Sequence, residues 1–517
     1  MIMSSNSYVA VIDCGSQTTK LIARRVRELG VFSRIFMPSI SADELMKDRP
    51  SAIILSGGPE SVLDKNSLDV DDDIFKLGIP ILGICYGMQL MIKHLGGELE
   101  RSPHREFGQR MISIDNSSLL FDALTSPLKV WMSHSDQTKI CPSELRTVAS
   151  SDSCLQAAVE YPAKKMFGVQ FHPEVSHTSC GTTILANFLF KVAKVDKSFD
   201  LKDFLAEQIQ SIKSQVGSGR VIMGLSGGVD SMVAAFLIHQ AINDQLLCVY
   251  VNHGLHRANE IEITKKAFFQ VFKKELLVVN AQEQFFEALA GVTDPEKKRR
   301  EIGRVFVEAF ESEAKNFKAQ FLGQGTLYPD VIESPKSKSG KSHGIKSHHN
   351  VGGLPEHMNL GLVEPLRELF KDEVRALGKL LGISNEVLMR QPFPGPGLAV
   401  RVPGEVTRER VELVRRADAI VCEEMKNIAE VYNKKIWQSF AILLPVKSVG
   451  VMGDARVYGE SIVIRCVESE DAMTADWSKL PYEVLEKISS RITNEVVGIS
   501  RVLYDITQKP PGTIEWE

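Results

Sequence analysis

No stretch of the 517 residues reaches the roughly 18 consecutive apolar positions that a membrane-spanning helix needs. Positive charge is not in excess either. The chain has 61 Lys and Arg against 65 Asp and Glu, a net charge of −4, so composition offers no basic footprint for nucleic acid. The eight cysteines form no CxxC pair and no disulfide framework. They read as reduced thiols of a cytoplasmic protein, with no zinc site. Met1-Ile2-Met3-Ser4-Ser5-Asn6 lacks the basic and apolar regions of a secretory signal, which again points to the cytoplasm. No internal repeat is visible. What is present is ordinary globular composition, 44% hydrophobic and 24% charged. The chain is too long for one core, so about two to four domains are expected.

One segment stands out, Gly83-Ile84-Cys85-Tyr86-Gly87-Met88-Gln89, directly after the apolar run Ile79-Pro80-Ile81-Leu82. The pattern predicts a buried strand, a sharp turn and a helix. Glycines on both flanks would let the backbone take strained dihedrals and thrust the thiol out at the helix N-terminus. There the helix dipole favours the thiolate. A lone cysteine in a tight turn reads first as an inert buried thiol. Cys85 is not alone, because Phe171-His172-Pro173-Glu174 follows the apolar strand Met166–Gln170. His172 and Glu174 are two apart, and in an extended segment they share one side. Pro173 biases His172 toward that extended form. A carboxylate beside an imidazole fixes its tautomer, and the imidazole can take the proton of Cys85. His134, in Trp131-Met132-Ser133-His134, reads instead as a structural histidine. Ile53-Ile54-Leu55-Ser56-Gly57-Gly58-Pro59 runs a strand into a Gly-Gly turn. The backbone N–H groups of Gly57 and Gly58, with that of Tyr86, form a candidate oxyanion hole.

In this order and spacing, these pieces resemble the class I glutamine amidotransferases over about residues 7–195. The resemblance implies a flavodoxin-like sheet flanked by helices, and hydrolysis of glutamine through a thioester on Cys85. Gln89 matches the family pattern as well.

A polar stretch, 194–198, reads as a linker, and an amphipathic helix follows with Phe204, Leu205, Ile209 and Ile212 on one face. The next strand, Val221–Leu225, leads into Ser226-Gly227-Gly228-Val229-Asp230-Ser231 and a helix from Met232. Strand, Gly-rich turn and helix N-terminus make an anion cradle, to which Ser226 and Ser231 add hydroxyl donors. Asp230 would repel a phosphate unless it bound a cation, which makes it a candidate magnesium ligand. No Gly-Lys-Ser/Thr closes the loop, so it is not a Walker A motif. Ser339-Gly340-Lys341-Ser342 imitates one, but Pro335 stands where its first glycine is needed and no strand precedes it. The 226–231 loop resembles instead the pyrophosphate loop of ATP pyrophosphatases, which cleave ATP between the α- and β-phosphates and adenylate a substrate oxygen. Val229 and Met232 belong to the same ATP-binding stretch.

A strand at Leu246–Asn252 fits a parallel sheet, and Gly323–Asp330 lies where a doubly wound sheet carries its ligand loops. Residues 336–350 are rich in Lys and His and poor in apolar anchors. They read as a solvated loop that closes on ATP phosphates, with Lys346 as the contact. Glu364, ending an apolar strand, is the second candidate magnesium ligand beside Asp230.

After Gln391 the run Pro392-Phe393-Pro394-Gly395-Pro396-Gly397-Leu398 is a rigid, turn-rich connection. A helix with Val411, Val414 and Ala417, strands near Phe440–Leu444 and Ser461–Cys466, and a helix over Tyr482–Ser490 suggest a small α+β domain. In the final stretch, Lys509-Pro510-Pro511-Gly512-Thr513-Ile514-Glu515-Trp516-Glu517, prolines stiffen the chain and Trp516 calls for burial. Lys509 and Thr513 offer a charge and a hydroxyl to a phosphate.

Together the elbow, the pyrophosphate loop, Pro-Phe-Pro-Gly-Pro-Gly-Leu and Lys-Pro-Pro…Glu-Trp-Glu resemble the GMP synthase family over residues 7–517. The resemblance implies an α/β protein in three parts. These are a flavodoxin-like amidotransferase domain (7–195), a doubly wound ATP pyrophosphatase domain related to the adenine nucleotide alpha hydrolases (196–391), and a C-terminal α+β domain for dimerisation and nucleotide binding (392–517). It implies glutamine, ATP and XMP as substrates, Mg2+ as cofactor, a homodimer, and XMP contacts from Lys509, Thr513 and Glu515. Arg300 is a further nucleotide candidate, although a basic run such as Lys297–Arg300 is more often a solvated helix face. Two other readings are weighed beside it. One is another ATP pyrophosphatase ligase, such as NAD synthase or a tRNA-modifying enzyme. The other is a non-catalytic nucleotide-responsive scaffold.

Overall fold

The structure is a computed structural model that describes residues 7–197, 199–333, 360–432, 436–452, 454–469 and 474–517. The chain divides into two compact units, residues 1–204 and 205–517.

The first unit is built on short apolar runs. Strands β1 (Tyr8–Ile12), β2 (Phe32–Phe36), β3 (Ala52–Leu55), β4 (Ile81–Ile84) and β9 (Met166–Val169) pair in parallel in the order β2-β1-β3-β4-β9. Four of the five are buried along their whole length, as strands covered on both faces must be. This is the expected flavodoxin-like arrangement, but it does not continue as repeated strand–helix units. Between β4 and β9 the chain adds β5 (Glu98–Ile114), β6 (Leu128–Ile140), β7 (Arg146–Ser150) and β8 (Ala158–Tyr161), which extend the sheet antiparallel as β9-β8-β7-β5-β6. Over its first nine residues β6 alternates buried with more exposed positions, the mark of a strand with one wet face. Phe188-Leu189-Phe190 lies in a π-helical turn.

The second unit carries a five-stranded parallel sheet of β10 (Val221–Gly224), β11 (Leu246–Asn252), β12 (Leu277–Asn280), β13 (Phe321–Gly323) and β14 (Gly361–Val363). Its order is β12-β11-β10-β13-β14. Strand order reverses at β10, so the crevice beyond the carboxyl ends of β10 and β13 is the topological switch point where such sheets bind ligands. A second sheet pairs β15 (Gln438–Met452) with β16 (Ala455–Glu468) as a long antiparallel ribbon, flanked by β17 (Asp476–Trp477) and, in parallel, β18 (Ile499–Asp505). Helices Arg408–Tyr432 and Tyr482–Glu495 accompany it. One continuous apolar core runs from Ile222, Val249 and Phe285 to Val414, Ala441, Ile462 and Ile488, so residues on both sides of the Pro-rich connection share their interior.

Candidate active site

Cys85 caps the helix Tyr86–His94 with φ 51° and ψ −105°, in the left-handed half of backbone space that a residue with a Cβ avoids. The strain therefore sits on the cysteine, not on its glycines as the sequence suggested. The glycines supply room. A Cβ on Gly83 would lie 2.6 Å from the backbone of Gly87, and one on Gly87 would lie 2.4 Å from the carbonyl oxygen of Leu55. The elbow is tied down on either side, since Cys85 N–H donates to Val169 O (2.7 Å) and Gln89 N–H donates to Cys85 O (3.1 Å). The thiol donates to Ser133 O (3.5 Å) and accepts from Gln170 Nε2 (3.6 Å). Gln89 Nε2 donates to Gln170 Oε1 (3.2 Å) and Asp136 O (3.3 Å), so Gln89 braces the site from inside the core.

His172 and Glu174 meet as their spacing predicts, with Nδ1 to Oε1 at 2.7 Å. Thr18 Oγ1 donates to the same carboxylate oxygen at 2.6 Å, and Arg25 Nε donates to Glu174 O at 3.1 Å. Burial alone would push the imidazole pKa down. The Glu174 carboxylate and the hydrogen bond with Cys85 outweigh it and hold His172 well above the usual histidine range. Gly57 closes on the same point, since a Cβ there would lie 2.9 Å from His172 Cε1. A Cβ on Gly58 would meet Cys14 O at 2.6 Å and the Tyr86 ring at 3.0 Å. The structure thus gathers Cys85, Tyr86, Gly57, Gly58, His172 and Glu174 at one place, with the first amides of a helix lacking intrahelical partners beside the thiol.

In the second unit the loop after β10 folds as a cradle. Gly227 takes φ +77°, and a Cβ there would meet Glu260 Oε1 at 2.9 Å. Ser226 and Ser231 hydroxyls lie 3.1 Å apart, Ser226 Oγ accepts from Gly228 N–H (3.3 Å), and Ser231 Oγ donates to Gly228 O (3.1 Å). The helix Val229–Ile242, which includes Met232, starts from Gly228 with no side-chain cap, so its first amides are available. Asp230 is held through both oxygens by Lys371 Nζ at 2.6 and 2.7 Å. Glu364 follows β14, where its oxygens accept from Thr326 Oγ1 (2.6 Å) and Arg367 Nη1 (2.9 Å). Gly325, in the loop after β13, packs against the Asp230 backbone, where a Cβ would approach to 3.0 Å. Arg390 Nη1 donates to Gly227 O at 3.2 Å and pairs with Glu260 at 3.4 Å. Lys346 lies outside the described residues.

The final stretch is ordered by buried arginines. Arg401 Nε and Nη2 donate to the two Glu515 oxygens (3.2 and 3.1 Å), and Gln438 Nε2 donates to Oε1 (2.7 Å). Arg465 donates to Ile514 O (3.2 Å), Thr513 O (2.9 Å) and Thr507 O (2.7 Å). Lys298 ion-pairs with Glu517, while Arg300, two residues on, is exposed on the helix Pro295–Phe317. Lys509 forms an antiparallel bridge to Ala475 through its backbone, and Thr513 is exposed. Trp516, expected to seek burial, is 41% exposed and donates from Nε1 to Asp505 (2.9 Å).

The sequence reading missed Gln170, Lys371 and Arg390. Gln170 immediately precedes the Phe-His-Pro-Glu motif and had a positional signal. Lys371 and Arg390 had none, because each is one basic residue among many on amphipathic segments.

Three families match parts of the chain: glutamine amidotransferase class-I over residues 10–192, NAD synthase over residues 199–319, and the GMP synthase C terminal domain over residues 423–516. A GMP synthase (glutamine-hydrolyzing) of Caldanaerobacter subterraneus subsp. tengcongensis is 52% identical over 510 residues, 98% of this chain and 99% of its own. One of Phenylobacterium zucineum is 53% identical over 519 residues, 99% of each chain. A solved structure of a glutamine amidotransferase from Thermotoga maritima is 18% identical, covering 37% of this chain and 99% of its own, with a TM-score of 0.32. Identity at about half of the aligned positions, over 98–99% of this chain and 99% of each relative, is the ground on which the chain belongs to the glutamine-hydrolysing GMP synthase family.

Proposed function

We propose that this chain makes GMP from XMP, ATP and glutamine. The reading is carried by the coexistence of a Cys–His–Glu constellation on an elbow and a Gly-rich anion cradle at the switch point of a second sheet. Cys85 attacks the glutamine amide carbon, and the amides of Tyr86, Gly57 and Gly58 hold the developing oxyanion. His172, charged and oriented by Glu174, gives its proton to the departing ammonia. It then takes a proton from the water that hydrolyses the thioester, releasing glutamate. In the second unit the C2 oxygen of XMP attacks the α-phosphate of ATP and pyrophosphate leaves. The leaving group sits on the 226–232 cradle, where backbone amides and the Ser226 and Ser231 hydroxyls meet its charge. Ammonia then attacks C2 and AMP departs. Joining the two chemistries keeps ammonia unprotonated, since in neutral water most of it is ammonium and cannot attack.

Asp230 and Glu364 offer oxygen donors only, the type Mg2+ takes, and would hold it in place of Lys371 and Arg367. Bound there, Mg2+ would neutralise charge on the pyrophosphate. Lys346 is assigned to the ATP phosphates, and Lys509, Thr513 and Arg300 to XMP. Glu515, both of whose oxygens are engaged, serves XMP by fixing the stretch that carries Thr513. On this reading residues 7–195 are the glutaminase, 196–391 the ATP pyrophosphatase and 392–517 the part that pairs two copies into a cytoplasmic homodimer. A ligase acting on the NAD precursor would share the cradle, but the family match over 423–516 favours XMP.

Asp230→Asn is expected to lower XMP-dependent pyrophosphate release by about 100-fold, a loss of about 2.7 kcal/mol of transition-state stabilisation. The loss should be equal with glutamine and with ammonium, and a loss confined to glutamine would overturn the assignment. Glu174→Gln is expected to slow glutamine hydrolysis by about 10²–10⁴-fold. The raised pKa of His172 depends on the Glu174 charge, so the variant should also lose its imidazolium at lower pH. The basic limb of the glutaminase pH profile then moves to lower pH. An unmoved limb would show that Glu174 does not set the charge of His172.

A further inference from the structure

We infer that Glu106, His134 and Cys154 bind one divalent cation of the Zn2+ class. The three come from β5, β6 and the loop between β7 and β8, and all are buried, at 1%, 6% and 5% exposure. One ligand atom from each lies within 4.8 Å of the others. Imidazole, thiolate and carboxylate are the donors that Zn2+ takes, at about 2.0–2.3 Å, which gives tetrahedral edges of about 3.5 Å. No edge of the cluster therefore needs to close by more than about 1.3 Å, and the Glu106–His134 edge is already 3.1 Å.

The surroundings of His134 are those of a ligand. Its Nδ1 lies 3.0 Å from the Asp136 carbonyl, which can only accept, so Nδ1 carries a hydrogen; Nε2 lies 3.1 Å from Glu106 Oε2, and a metal would replace the hydrogen shared between those two atoms. A backbone carbonyl that fixes the tautomer and leaves the other nitrogen for the ion is the usual support of a metal-bound histidine. Glu106 is steadied in turn, since Ser151 Oγ and Ser153 Oγ both donate to its Oε1. The same two serines line a surface cleft with Arg110 and Asp152, which supplies an entry path. Asp136 brings an independent sign. It lies two residues from His134 on the same face of β6, and its Oδ1 is buried with no hydrogen-bond partner among the described residues, an unsatisfied acceptor of the kind a bound cation satisfies. Ser133, next to His134, accepts the hydrogen bond of the Cys85 thiol.

The test is a Co2+ titration of the full chain, stripped with chelator and kept reduced. It is done in a Cys85→Ser background so that the elbow thiol does not compete. A near-ultraviolet thiolate-to-cobalt band that saturates at one thiolate-bound Co2+ per chain is expected, since oxygen donors such as Asp230 and Glu364 give no such band. Adding Cys154→Ser should abolish the band, and adding Glu106→Gln should weaken Co2+ binding by about tenfold or more while leaving the band. Absence of the band, its persistence without Cys154, or unchanged affinity in the Glu106→Gln protein would overturn the inference. Circular dichroism checks folding. If the Cys154→Ser protein does not fold, the isosteric Glu106→Gln comparison decides.

Discussion

Cys85→Ala is expected to reduce glutamate release from glutamine by at least about a thousandfold, the scale on which removal of a covalent nucleophile is felt. The substitution isolates chemistry from folding. Alanine keeps the Cβ, so the strain at φ 51° is the same in variant and wild type, and neither Gly83 nor Gly87 is asked to move. What disappears is the sulfur that donates to Ser133 O and accepts from Gln170, at 3.5 and 3.6 Å, and that helps hold the charge of His172. Sulfur hydrogen bonds of that length contribute little, so the melting temperature should hardly change. His172 keeps its 2.7 Å contact with Glu174 but has no thiol to deprotonate. A coupled assay for glutamate reads the result directly. Glutaminase within tenfold of wild type would show that the nucleophile lies elsewhere.

Arg401→Ala should destabilise residues 205–517 by about 3–5 kcal/mol, the range for breaking a buried ion pair by removing one partner. Arg401 is fully buried and bonds Asp418 Oδ1 at 3.1 Å as well as both oxygens of Glu515. Its guanidinium lies 4.2 Å from the centre of the Phe440 ring and 5.2 Å from that of Phe393, so packing and cation–π attraction are lost with the charge. Asp418 retains Arg257 at 3.0 Å, but among the described residues Glu515 retains Gln438 alone as a side-chain donor to its carboxylate. The final stretch should therefore loosen first. Urea denaturation followed by tryptophan fluorescence gives the stability, and limited proteolysis after residue 505 reports the release. A protected stretch with stability within about 1 kcal/mol of wild type would show that Arg465 and Lys298 suffice to hold it.

These two sites differ in how far they could be read from sequence. Cys85, His172 and Glu174 were legible because each sits in a local pattern whose geometry follows from backbone rules. An elbow needs its glycines, and a His-Pro-Glu needs extended backbone. The glycines nevertheless serve a different end from the one expected, since close approach of Leu55 O to Gly87 is a tertiary fact. The parallel strands were legible as apolar runs. Strands β5 to β8 were not, because half-wet antiparallel strands such as β6 carry Lys129, Ser133 and Gln137 among their apolar positions. Arg401 and Arg465 are fully or almost fully buried against the general habit of arginine, and the Asp418 carboxylate together with the carboxylates and carbonyls of the last residues explains it. The grouping of Glu106, His134 and Cys154 was invisible for the same reason. Spacings of 28 and 20 residues match no metal motif, and His134 by itself looked structural. Lys371 on Asp230 belongs with them, since nothing local distinguishes it from other lysines.

On the proposed function, ammonia made at Cys85 is consumed at the 226–232 cradle, and one comparison addresses this most directly. GMP formation from XMP and ATP is followed in the Cys85→Ala protein, first with glutamine and then with an ammonium salt. The expected result is no GMP with glutamine, and GMP at close to the wild-type ammonium-supported rate with the salt. A folded variant inactive with both nitrogen sources would contradict it.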